Sequence, residues 1–274
     1  MRVRRCQKHQ ELPRAVLDFD VSPLPSGIIG FEGKKRIVSE TMGGYVDAMH
    51  KTIEPTILYF GTPVALISSL NEDGSPNICP MSSAWWLGWT CMLGLGAMSK
   101  TSDNLIRTRE CVINLPSQDQ VSHVDRLALT TGKDPVPEKK QQWGYRHEAD
   151  KFDVAGLTPT PSLVVGPPRI RECPVQMEGI VHDVRPFGKN VNANAFEVHI
   201  LKLHVNENLL LENGRHIDPV RWRPLIMSFC RFFGMGDEIH PSLLAESPFM
   251  KMVGAPPQQP STDNAVSVMT SAQR

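Results

Sequence analysis

The stretch NEDGSPNICPMSSAWWLGW, Asn71–Trp89, opens as a polar turn and closes on three tryptophans. Asp73-Gly74 supplies a residue pair that tolerates positive φ, so the opening letters mark a chain reversal between two strands. Before it, TPVALISSL (Thr62–Leu70) is β-branched and apolar, which suits a strand buried on both faces. After it, SPNICPMSSAWW returns as the partner strand, and TCMLGLGAM (Thr90–Met98) reads as a third. Pro76 and Pro80 each remove a ladder donor, so the second strand is expected at a sheet edge or a bulge. Either leaves backbone groups free to meet something other than a neighbouring strand.

The third strand runs into SKTSDNLIRTRE, Ser99–Glu110. Ser99, Thr101, Ser102 and Asp103 are all helix-capping residue types, and Leu105 and Ile106 begin a short apolar face. A helix start offers free N–H groups and partial positive charge, to which Lys100 adds an ammonium and Thr101 a hydroxyl. Those are the parts of a phosphate cradle. The same letters also describe a capped surface helix with a solvated lysine. GLGAMS just before it is no dinucleotide-binding loop, since G-x-G-x-x-G needs glycine where Ser99 stands and a helix where a strand is expected.

Composition narrows the classes. The 274 residues carry 29 Lys plus Arg against 29 Asp plus Glu, so no overall field draws the chain to nucleic acid or an anionic membrane. No apolar run approaches the ~20 residues that cross a bilayer, and no apolar signal core follows the basic N-terminus; a cytoplasmic protein is expected. Cys6, Cys79, Cys91, Cys111, Cys173 and Cys230 are widely spaced and read as small buried hydrophobes in a reducing compartment. His199 and His204 lie five apart in an expected strand and so face opposite sides. No residues are assigned to a metal.

The ordered set of strand, Asp-Gly turn, Asn-x-x-Pro-Met-Ser-Ser strand, apolar strand and Ser-Lys-Thr helix start resembles the flavin reductase-like proteins of the FMN-binding split-barrel class. The resemblance runs from about Pro63 through RECVINLPS (Arg109–Ser117). It continues more loosely through DRLALTTG (Asp125–Gly132), ECPVQMEGIV (Glu172–Val181) and WRPLIMSF (Trp222–Phe229). It implies a mainly β fold: a six-stranded antiparallel split barrel with a few peripheral helices and N- and C-terminal arms. The boundaries expected are an arm over 1–50, the barrel domain over 51–253 and a disordered tail over 254–274, rich in Pro, Gln, Ser and Thr.

The resemblance further implies a homodimer with one FMN per subunit near the interface. Ser82 and Ser83 would approach the ribityl phosphate with Lys100 and Thr101, and Asn104 would support that loop. Asn77, Pro80 and Met81 would run beside the isoalloxazine edge, with Ala84 closing the same stretch. The activity implied is an NAD(P)H-dependent flavin reductase, with NADH or NADPH as co-substrate and a small molecule or second flavin as acceptor. The alternatives are an FMN-dependent oxidoreductase acting on a specific organic substrate, or a non-catalytic flavin-binding protein. Many flavin reductases carry Gly-Asp-His late in the barrel; NANAFEVHILKLHV (Asn192–Val205) lacks it, and no catalytic residue is assigned.

Other segments read more simply. Trp85 and Trp89 share a strand face and Trp86 takes the other, so one face fills a core and one of the pair is a candidate wall for the ring. His123 is either a flavin neighbour or a helix-end residue. Lys133–Ser162 reads as an insertion with a short helix around Lys139–Trp143, whose Trp143, Tyr145 and Phe152 anchor it or cap a pocket. Val175–His182 alternates as a half-exposed strand, with Arg169 and Arg171 ahead of it either solvated or in contact with an anionic cofactor. Asp218–Gly236 reads as a last strand whose Phe229, Phe232 and Phe233 close the dimer.

Overall fold

The computed structural model describes residues 50–189, 191–240 and 242–246. The expected arm, apart from its last residue, and the expected tail lie outside these. The described chain falls into two units, residues 50–58 with 188, 189 and 191, and all the rest. Residues 50–58 carry no helix or strand.

The second unit is built on one antiparallel sheet. Its strands are β1 (Ala65–Leu70), β2 (Pro76–Met81), β3 (Ala84–Leu87), β4 (Thr90–Gly96), β5 (Glu110–Leu115), β6 (Val175–Pro186) and β7 (Ala193–Val205). Their order across the sheet is β2-β1-β5-β6-β7-β4-β3. The two edges are therefore consecutive in sequence, joined only by Ser82 and Ser83. Three Cα–Cα steps span at most about 11 Å, so the sheet must roll until its edges nearly meet. This corrects the six-stranded barrel expected from the sequence: the main sheet has seven strands and is not closed. The run SPNICPMSSAWW is two strands, because the chain leaves one edge at Met81 and joins the other at Ala84. Pro76 and Pro80 fall on edge strand β2, where a missing donor costs no ladder bond on the open side.

The inside of the roll is apolar. Ala65, Ile67, Leu93, Cys111, Ile113, Phe196 and Val198 are fully buried there, with Leu105 packed in from helix α1 (Lys100–Thr108). A second cluster covers the outside of β1 and β2, where Leu66 and Ile78 meet Val124 of α2 (Val121–Arg126) and Phe152 of α4 (Lys151–Ala155). β1 is thus buried on both faces, as its unbroken apolar run requires. The expected short helix is α3 (Glu138–Gln142).

Near the C-terminal end of the described chain, β8 (Leu225–Ser228) and β9 (Arg231–Gly234) form a hairpin, where one strand was expected. Phe229 and Cys230 both hold positive φ at its turn. Of its aromatics, Phe229 and Phe233 stay exposed while Phe232 packs on the second cluster.

The alternation in Val175–His182 misleads as far as Gly179. Gln176 and Glu178 are buried, because the segment around Ser162–Ile170 covers the outer face of β6. Arg169 is not solvated: its guanidinium donates to Gln176 Oε1 and Pro161 O and lies 3.7 Å from Glu178. Arg171 is exposed as expected.

Candidate functional site

Helix α1 begins where the sequence demands. Ser99 is the N-cap, its hydroxyl accepting from Ser102 N at 3.0 Å, and Arg109 closes the helix in the left-handed region at φ 60. With Ser102 and Asp103 bonded back to Ser99, the amides of Lys100 and Thr101 donate to no atom among the described residues. They are the open donors of a helix start, with partial positive charge behind them.

A buried polar network fixes this start against the sheet. Asn77 Nδ2 of β2 donates to Thr101 Oγ1 at 2.8 Å and to Ser69 Oγ at 3.4 Å. Asn104 Nδ2 donates to the same Ser69 Oγ and to Asn71 Oδ1 in the turn. The Asn77 Oδ1 acceptor is buried without a protein partner. Gly132 lies directly against it, since a Cβ there would stand 2.7 Å from Asn77 Oδ1 and 3.1 Å from Lys100 Cγ. Only glycine lets this loop lie so close over the corner. The Lys100 ammonium is paired with Glu72, whose carboxyl is held below its ordinary value chiefly by that hydrogen bond. Lys133 is paired in the same way with Asp103.

Ser82 and Ser83 occupy the link between the sheet edges. Gly94 N donates to Ser83 O at 2.8 Å, and a Cβ at Gly94 would sit 3.1 Å from Ser83 Cβ, so Gly94 admits the link. The hydroxyls of Ser82 and Ser83 have no partner among the described residues, and no hydrogen bond joins either serine to Lys100 or Thr101. Asn77 and Ser82 are five positions apart, about 16 Å along an extended chain. Between them Pro80 pairs with Leu66 and Met81 with Ala65 along β2, and Ala84 is buried at the start of β3. The structure thus brings Asn77, Thr101 and Asn104 into one bonded corner, with Lys100 beside it on Glu72. It sets Pro80, Met81, Ser82, Ser83 and Ala84 along the sheet opening that leads away from it. An elongated ligand with an anionic end suits this layout.

A residue that sequence reasoning missed closes the side of β2. Lys151 is buried, and its ammonium donates to Ile78 O at 3.0 Å, satisfying a carbonyl on the open edge. Burial lowers its pKa, as it does for Lys140, and burial raises that of Tyr145. The only signal in the sequence was a lysine just before Phe152, in the segment already read as a possible cover. His123 takes the helix-end role: its Nδ1 lies 2.8 Å from Ala155 O, where Arg126 also binds, so it ties α2 to the end of α4.

Trp86 packs on the inner core, its Nε1 buried without a partner, whereas Trp85 and Trp89 are 58% and 62% exposed. Trp85, Leu87, Trp89 and Ile180 make the outer face of this part of the sheet apolar and open. No helix among the described residues is long and apolar enough to cross a membrane.

Comparison with known proteins identifies the family and the fold. Residues 57–230 match the model of the flavin reductase like domain. The chain is 42% identical over 197 residues to YdfE of Bacillus subtilis (strain 168), an uncharacterized protein, covering 72% of this chain and 95% of YdfE. Among solved structures, the flavoredoxin of Desulfovibrio vulgaris (Miyazaki F) superposes with a TM-score of 0.60 at 22% identity, covering 73% of this chain and all of that one. Nitrilotriacetate monooxygenase component B from Bacillus cereus gives 0.55 at 20% identity, covering 68% and 88%. These two likenesses establish the fold.

Proposed function

The chain belongs to the flavin reductase-like family, and from that premise we propose that it binds FMN and passes hydride from NADH or NADPH to the flavin. One observation carries the reading: two helix-start amides without an acceptor among the described residues stand with a lysine at one end of an open strand edge, and its other end holds two serine hydroxyls without a partner among those residues. These residues fit a long planar cofactor with a phosphate tail. Lys100, Thr101 and the amides at their positions would hold the phosphate, joined by Ser82 and Ser83 along the ribityl chain. For Lys100 to do so, its pairing with Glu72 must open, an exchange of one exposed carboxylate for a dianion. Asn104 and Asn77 keep the corner in place through Ser69 and Thr101.

Bound FMN supplies the hydride chemistry, accepting at a ring nitrogen and passing electrons on. The protein's part is to orient the ring along Asn77, Pro80, Met81 and Ala84 and to keep water from it. Edge strand β2 offers backbone polar groups that no neighbouring strand takes up. The cover formed by α3, Tyr145 and Lys151 packs beside this edge. We further read the protein as a cytoplasmic homodimer. Its exposed apolar face supports the subunit contact, and the free thiols Cys79, Cys91, Cys111, Cys173 and Cys230 support a reducing compartment.

A second reading, turnover of a specific organic substrate by bound FMN, is favoured by one feature. In the strand that lacks Gly-Asp-His, Asn194 Nδ2 donates to Ser102 Oγ at 3.3 Å and serves helix α1 instead. Steady-state oxidation of NADH and NADPH by the purified protein with added FMN or FAD separates the two. The first reading expects flavin-dependent turnover. Tightly bound flavin, seen as two visible absorption bands, with no nicotinamide oxidation would discard it for the second. A protein that takes up no flavin would discard both.

A further inference from the structure

No metal-ligand spacing is visible along the chain, yet the fold brings one ligand set together on the outer face of β6 and β7. Glu197 and His199 are two apart on β7, so they share a face. Opposite them, Val181 pairs with Val198 and Asp183 with Glu197, which leaves His182 as the extra residue of a β-bulge. Bulges re-aim side chains, and this one sets the His182 ring against that of His199. The rings stack with centroids 4.5 Å apart and planes 10° from parallel. His199 Nε2 lies 3.2 Å from Glu197 Oε1.

We propose that His182, Glu197 and His199 form a binding site for a divalent transition cation of the zinc class. The ligand atoms of the three residues lie within 4.8 Å of one another. Two ligands on one tetrahedral zinc ion stand about 3.4 Å apart, given bonds of about 2.0–2.2 Å. Closing the site therefore needs up to about 1.4 Å of convergence, with the stacked imidazoles turning toward a shared point. The His199 side chain is 46% exposed and that of Glu197 31%, so rotation meets little packing resistance. Two imidazoles and one carboxylate favour zinc, nickel or copper over magnesium or calcium, which prefer all-oxygen shells. The strands supply the rigid backbone that such a site needs.

Two other histidines are engaged elsewhere. His123 is bound to Ala155 O, and His204 Nε2 sits 2.7 Å from Glu178. Among the described residues, the triad is the one group of three such side chains placed closely enough to share an ion. It also stands beside Ile180, which pairs with His199 on the open outer face of the sheet.

The test is calorimetric titration of the full-length protein with zinc chloride, with metal content read independently by elemental analysis after dialysis. The wild type is expected to bind one ion per chain. His182→Ala with His199→Ala should abolish that site while leaving circular dichroism and flavin content unchanged. Glu197→Gln should weaken it about 10–100-fold, at least the loss seen when a supporting ligand is removed. Wild-type protein that takes up no zinc overturns the proposal. So does a double variant that binds as much as wild type, since the ion would then sit elsewhere. Because the readout is zinc and not turnover, it stands whichever flavin reading holds.

Discussion

Glu178 shows how much a single residue can be asked to hold. Its carboxylate is fully buried on β6 and accepts from Leu163 N, Val164 N and His204 Nε2. Burial pushes its pKa up, but these donors outweigh that and leave it below its ordinary value of 4.5. A depressed folded value means the stabilisation is present in full above pH 4.5 and is lost as pH falls through the folded value. Glu178→Gln should cost about 1–3 kcal/mol at neutral pH. It should also flatten the acid limb of a denaturant-midpoint series below pH 4.5. A variant whose stability tracks the wild type at every pH would show that the network contributes nothing. None of this was legible in the sequence, where Glu178 sat on the polar side of an alternating strand. Alternation reports a half-covered sheet, and nothing local announces that a distant segment returns to cover it.

At the scale of elements, the turn, the first strand and the capped helix could be read directly, because each is specified by neighbours in sequence. Asp73-Gly74 needs only itself to reverse the chain, and Ser99 needs only Ser102 to start a helix. What escaped was the break between β2 and β3. SPNICPMSSAWW has the composition of one strand, and only the sheet order shows that its two halves lie on opposite edges. The prolines did give the edge position of β2 correctly. The bulge at His182 escaped for a similar reason: register is a property of two strands, and a one-residue slip is invisible in either alone. The outer face near β3 carries its own prediction. If Trp85, Leu87 and Trp89 form the subunit contact, Leu87→Asp should shift the sedimenting species from dimer to monomer with its fold intact. Wild-type protein that sediments as a monomer at micromolar concentration would remove that assignment.

For the molecule as a whole, rolling the sheet is what creates the site. Two residues connect its edges, so the opening that remains runs from the α1 corner, along the proline-bearing edge, to the serine link. Asn77 and Asn104 meet at the corner because Ser69 and Asn71 on β1 and its turn receive them, while Thr101 is held by Asn77 and Lys100 by Glu72. Ser82 and Ser83 belong to the other end, and the protein's own hydrogen bonds do not span the distance. A ligand that touches both ends must be long, and must be anionic where the helix begins. The measurement that tests this most directly is the flavin content of purified Lys100→Ala with Ser83→Ala, read from the visible spectrum beside the wild type. The account predicts a folded but colourless variant next to a yellow wild type. A double variant as yellow as its parent would contradict it.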